Sequence, residues 1–187
     1  MDYSKALREL DVMQQIYAAF FSVTNKLQAQ GDTYLETLTS RQYMIMLAIA
    51  HLPEDETTLV NISRKLETSK QSAQKLVVNL ENKGYLITVP SKLDKRAINV
   101  EITELGKKVM VECGEKSTSL MADIFKEFTS GELDVLWSLL RKFNRTDSEE
   151  ATGFEEDVNH KFEEMEGFEE AQIRALDLFI SRRNTNK

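Results

Sequence analysis

Apolar residues return every three or four positions over most of this chain, the spacing that lines one face of a helix. From residue 3 to 30, Ala6, Leu7, Leu10, Met13, Tyr17, Phe20, Phe21, Thr24 and Leu27 form one broad stripe. Gly31 to Glu36 interrupts the pattern and predicts a break. Residues 38–52 resume it, with Tyr43, Met46, Leu47 and Ala50 on one side and Thr39 or Ser40 able to cap the start. Pro53 and the three acidic residues after it end that helix. Thr57 or Thr58 then caps a short helix over 59–66, with Leu59, Ile62 and Leu66 on one side. Glu67, Thr68 and Ser69 separate it from the next. There Ala73, Leu76, Val77 and Leu80 share a face, Ser69 can accept a bond from an unpaired N–H, and Gly84 can end the helix.

After Gly84 the period changes. Residues 86–102 predict two strands joined by a loop, and in the second strand Ile98, Val100 and Ile102 alternate with Asn99 and Glu101. Helical spacing returns beyond Thr103, first in Leu105, Val109, Cys113, Leu120, Ile124 and Phe128. It continues past Thr129 or Ser130 in Leu133, Leu136, Trp137, Leu140 and Phe143. Residues 146–159 are acidic and interrupt the pattern. Phe162, Met165, Glu169, Ile173, Leu176 and Ile180 then predict one more amphipathic helix, ending in Arg182 and Arg183.

Two short helices, a tight turn and a strand pair in that order make a winged helix-turn-helix. The predicted fold class is mostly α with a small β-wing, the winged helix lying between long helices. The boundaries read as 1–36 (first long helix), 37–103 (winged helix), 104–145 (two further helices) and 146–187 (acidic extension with an extra helix).

Charge sharpens this picture. The chain has 187 residues and a net charge of −7, the wrong sign for a protein that binds a polyanion. The distribution matters more. Residues 59–100 hold eight Lys and Arg against three Asp and Glu, whereas residues 146–187 hold twelve Asp and Glu against five Lys and Arg. The basic segment coincides with the winged helix. A single cysteine, Cys113, excludes an intrachain disulfide. Two distant histidines, His51 and His160, give no metal-ligand spacing. No phosphate-binding glycine loop, nucleophile elbow or paired-carboxylate constellation is present, so no catalytic residue, metal or cofactor is expected and the chain does not read as an enzyme. With no apolar run of membrane length and a polar N-terminus, a cytoplasmic location is expected.

Four motifs carry a family resemblance. LTSRQYMIM at 38–46 is similar to the opening of the second helix in the MarR family of bacterial transcriptional regulators. NLENKGYL at 79–86 is similar to that family's end of the recognition helix. Asp94-Lys95-Arg96 resembles its wing motif, and ITELGKK at 102–108 its exit into the next helix. The resemblance covers residues 3–145. It implies a homodimer, held by interlocking first and last helices, that binds a near-palindromic operator in double-stranded DNA. It also implies release by a small aromatic or phenolic effector seated between the dimerisation and DNA-binding regions.

The expected DNA-facing set is Ser69, Lys70, Gln71, Ser72, Gln74 and Lys75 on the recognition helix, where Gln can pair with adenine and Lys with guanine or phosphate. The wing supplies Lys92, Lys95 and Arg96, and the resemblance implies that Arg96 reaches DNA while Asp94 braces it or the loop. Against this stands a merely solvated helix face and surface hairpin. An effector crevice would draw on Tyr17, Phe21, Tyr43, Met44, Met46 and His51, each of which could equally be core or dimer packing. Cys113 reads as a buried stripe residue rather than a redox switch. The extension could reinforce a dimer, compete with DNA for the basic surface, or be a solvated appendage with one docked helix. The expected function is a transcriptional regulator, a repressor by preference. The alternative is a winged-helix protein-interaction module with little DNA affinity.

Overall fold

The computed structural model describes residues 3–91, 97–144, 154, 158 and 161–184. Their elements run α1 (Ser4–Leu35), α2 (Ser40–His51), a 3-10 turn (Glu54–Glu56), α3 (Leu59–Lys65), α4 (Lys70–Asn82), β1 (Leu86–Pro90), β2 (Ile98–Ile102), α5 (Glu104–Ile124), α6 (Ser130–Asn144) and α7 (Phe168–Asn184). The architecture is the mostly helical winged helix-turn-helix that the apolar spacing predicts.

The core forms around α2. Its Ile45, Met46, Ala48, Ile49 and Ala50 are all buried, so the single face expected from Tyr43, Met46, Leu47 and Ala50 is too narrow. A helix apolar on every side must have partners on every side, and α1, α3, α4, α5 and β2 all pack against it. Thr39 caps α2, accepting from the Gln42 amide while the Gln42 side chain accepts from the Thr39 amide.

The break expected at Gly31–Glu36 is not there. α1 continues through Gly31 to Leu35 and stops at Glu36, whose φ is +55°. Glycine usually lowers helix propensity, but here contact decides. A Cβ on Gly31 would come within 2.2 Å of the Ser40 hydroxyl oxygen. That hydroxyl donates to the Gln28 carbonyl at 2.9 Å, so the start of α2 presses on α1 where only glycine leaves room.

The second strand also departs from the expected alternation. Asn99 is buried at 2% exposure and Ile98 lies open at 59%. β2 pairs antiparallel with β1, Leu86 opposite Ile102 and Pro90 opposite Ile98. Its other edge meets the segment before α3, through a Thr58–Asn99 bridge and a Val100 amide bond to the Thr57 carbonyl. A strand held on both edges does not obey a rule for a free hairpin.

α5 starts at Thr103 as expected, with the Thr103 hydroxyl accepting from the Gly106 amide and donating to the Gly84 carbonyl at 2.7 Å. Leu105, placed on the buried stripe by its spacing, is 53% exposed. Val109, Cys113 and Leu120 of the same stripe are buried.

α7 is the helix predicted for the extension, but it docks by a different face. Ala171 and Ala175 are buried against α5, while Ile173, Leu176 and Ile180 are 60%, 53% and 54% exposed. Small side chains let the two helix backbones approach closely, and polar pins reinforce the contact. Arg174 grips Glu115 through two bonds of 3.2 and 3.1 Å. Arg182 reaches Asp123, which also accepts from Tyr34 of α1, and Arg183 donates to the carbonyls of Phe125 and Phe128. Ahead of α7, Lys161 donates to the carbonyls of Ala50 and Leu52 at the C-terminal end of α2, where a cation is favoured. Phe162 is buried in the core. The extension thus joins α2, α5 and α1.

Candidate nucleic-acid interface

α4 divides cleanly into two faces. Ala73, Val77 and Leu80 are buried and Leu76 is half-buried, which seats the helix on the core. Ser69, Lys70, Gln71, Ser72, Gln74 and Lys75 are all exposed, so six of the ten expected DNA-facing residues form one continuous polar surface. Ser69 caps the helix by accepting from the Ser72 amide at 3.1 Å, and the two hydroxyls lie 2.8 Å apart. The tight turn before it uses Glu67 at a φ of +48°.

The far end of α4 is fixed by α2. Buried Gln42 donates to the Asn79 side chain at 2.6 Å and accepts from the Lys83 ammonium at 3.2 Å. Lys83 also reaches the Thr37 carbonyl at 3.4 Å. Gln42 therefore serves both as the cap partner of Thr39 and as the strut that aims α4.

The charges on the exposed face oppose local stability. The first turn of α4 contains no acidic residue and begins with Lys70. A cation at the positive end of a helix dipole costs roughly 0.3–1 kcal/mol. Neither Lys70 nor Lys75 is ion-paired among the described residues. Exposed, unpaired cations beside free helix N–H groups form an arrangement suited to phosphate.

β1 and β2 lead into and out of the wing loop, and the Ser91 amide donates to the Ala97 carbonyl at 3.0 Å where the strands end. The expected wing residues Lys92, Asp94, Lys95 and Arg96 fall outside the described residues.

The six expected effector residues do not come together. Tyr17 and Phe21 pack edge to face on the outer side of α1, 68% and 61% exposed. Met46 is fully buried in the core, Met44 is half-buried, and His51 packs edge-on against Phe154 with ring centres 5.2 Å apart. Of the six, Tyr43 lines a cavity. That cavity, of about 370 Å³, lies between α2, α5 and the extension. Sequence reasoning missed its other walls, among them Met110, Gly114, Phe162 and Phe168. Phe162 and Phe168 were visible as apolar residues, but nothing local said that they fold back on α5. Burial raises the Tyr43 phenol above its usual range, with the neighbouring Cys113 adding to the shift and a bond with Ser117 opposing it. Burial likewise pushes the Cys113 thiol up to about 11, with Glu112 adding to it. It stays protonated at neutral pH, unlike a reactive cysteine. Among the described residues, no group of three or more His, Cys, Asp or Glu could hold a metal ion, and no helix is long and apolar enough to cross a membrane.

Residues 36–97 match the model of the MarR family. Over 80 residues the chain is 32% identical to the uncharacterized HTH-type transcriptional regulator YpoP of Bacillus subtilis. That match takes in 43% of this chain and 57% of the relative's length. Among solved structures, a cysteine mutant of MarR from E. coli complexed with operator DNA superposes with a TM-score of 0.63 at 21% identity, covering 71% of this chain and 96% of that one. MepR of S. aureus in complex with DNA gives 0.61 at 19% identity, covering 68% and 94%. The organohalide-sensing regulator RdhR in its 2,4-dichlorophenol-bound form gives 0.65 at 16% identity, covering 73% and 81%. These likenesses establish the fold.

Proposed function

We propose that this chain, whose residues 36–97 match the model of the MarR family, is a DNA-binding transcriptional regulator of that family, preferentially a repressor. The observation that carries this reading is the exposed face of α4, where Lys70, Gln71, Gln74 and Lys75 stand free on a helix whose opposite side is locked into the core. Operator DNA is bound in the MarR structure, and DNA in the MepR structure, that share the fold. Base readout belongs to Gln71 and Gln74. Lys70, Lys75 and the wing residues Lys92, Lys95 and Arg96 supply the phosphate contacts, with Asp94 as the brace.

The DNA-binding form is a homodimer. Leu7, Leu10, Met13, Tyr17 and Phe21 on α1, with Trp137 and Phe143 on α6, leave a large apolar surface open in a single chain. Apolar surface of that extent calls for a partner. A two-fold dimer presents two α4 helices and so reads a near-palindromic site. A small-molecule effector seated in the cavity beside Tyr43 releases the DNA. The dichlorophenol-bound relative of the same fold supports that reading.

Selection of bound duplexes from a random pool tests the proposal. It predicts enrichment of a near-palindrome whose half-sites lie about one or two helical turns apart. Gln71→Ala relaxes one base position in each half-site, whereas Arg96→Ala weakens binding to all sequences alike. A pool that returns no shared sequence, from a folded dimer, overturns the reading in favour of a protein-interaction module.

A further inference from the structure

The extension changes the chemistry of the cavity it closes. α2 and α5 supply one side, with Tyr43, Leu47 and Met110, and the extension supplies the other, with Phe162, Phe168 and Ala175. The matched MarR and MepR chains are covered almost entirely, at 96% and 94%, by only about 70% of this chain. About 30% of this chain lies outside those likenesses.

Several polar groups of the wall are already paired within the protein, and Gln172 adds an exposed neutral amide. The Thr118 hydroxyl donates to the Gly114 carbonyl at 3.0 Å, and Ser117 bonds the Tyr43 phenol. Glu115, on the rim, is held by Arg174 of the extension in a two-bond pair of zero net charge. Among the described residues no Lys, Arg or His lines the space, and Lys161 is turned onto the end of α2. An anion placed here loses its water, gains no cation and faces a carboxylate. A neutral molecule with an apolar body loses little and buries its surface against Leu47, Met110, Phe162 and Phe168. The volume of about 370 Å³ falls in the range of small-ligand sites.

We propose that this composite cavity is a site for a small, uncharged, largely apolar molecule, and that it discriminates against aromatic acids because the described residues of its wall offer no cation. The proposal rests on the effector reading given above and names the class of effector.

A titration of the full chain, without DNA, with two dyes of one skeleton tests it. N-phenylnaphthylamine is uncharged, and anilinonaphthalene sulfonate carries an added anion. The neutral dye should bind saturably at one site per chain, and the sulfonate about tenfold or more weaker. Gly114→Leu fills the cavity from α5. A Cβ at Gly114 meets nothing closer than the Tyr43 hydroxyl at 4.0 Å, so the backbone there admits a side chain, and an unchanged thermal unfolding midpoint checks that the variant is folded. It should weaken the neutral dye about tenfold or more. Leu176→Lys places a cation on the half-open extension wall and should shift the preference toward the sulfonate. Equal affinity for the two dyes, or a dye preference unmoved by Leu176→Lys, overturns the charge argument. Neutral-dye binding unchanged by Gly114→Leu overturns the location. None of these results depends on DNA binding, so the regulator reading stands or falls separately.

Discussion

α4 and α7 are both amphipathic helices with an apolar stripe at three-four spacing, yet they use those stripes in opposite ways. In α4 the stripe is the buried face, with Ala73 and Leu80 at 0% exposure. In α7 the stripe of Ile173, Leu176 and Ile180 points outward, and Ala171 and Ala175 do the docking. The difference lies in what surrounds each helix. α4 lies between α2, α3 and β1, close in sequence and already collapsed, so its largest apolar residues have a core to enter. α7 must lie along α5 itself, more than fifty residues away, and fix itself with Arg174–Glu115 and Arg182–Asp123. Close helix contact and paired charges select the alanine face. A stripe predicts burial against something, and only the rest of the chain says against what.

The sharpest contrast comes from core truncation. Leu80→Ala in α4 should destabilise the protein by about 2–5 kcal/mol in denaturant unfolding, the cost of a buried leucine and its cavity. A loss under about 1 kcal/mol would mean that α4 is not seated on the core as described. In α7, Ala175→Asp should undock the helix by burying a carboxylate against α5, costing about 1–3 kcal/mol of docking energy. Hydrogen exchange should then speed up across 168–184 and stay slow in α4. Equal loosening of both helices would show that the extension and the winged helix form one cooperative unit.

Smaller effects sharpen the same comparison. Ser69→Ala removes the α4 cap and should cost about 1 kcal/mol. Ile173→Ser, on the open stripe of α7, should change the stability of a single chain by no more than about 0.5 kcal/mol. A larger loss that depends on protein concentration would show that a second copy covers this stripe.

Local features were the legible ones. Thr39, Ser69 and Thr103 cap helices as read, because a cap needs only its own next turn. The exposed set on α4 follows from one period and its cap. What sequence missed depends on distant contacts. Gly31 looked like a breaker and proved to be a point of close approach between α1 and α2. Asn99 looked solvent-facing and is buried, because the segment before α3 covers the outer edge of β2. The walls of the cavity beside Tyr43 were not legible for the same reason. Of the six expected residues, Met46 sits in the core, Tyr17 and Phe21 on the outer face of α1 and His51 against Phe154, and about half of the wall around Tyr43 comes from a segment with no local signal for where it folds.

The most direct test of the central claim, that the exposed face of α4 binds DNA, is a fluorescence-anisotropy titration of the full chain with duplex DNA over a range of salt concentrations. The account predicts affinity that falls steeply as salt rises, with a slope reduced by about one for each of Lys70→Gln and Lys75→Gln. Binding that is absent, indifferent to salt, or unchanged in both variants would contradict it.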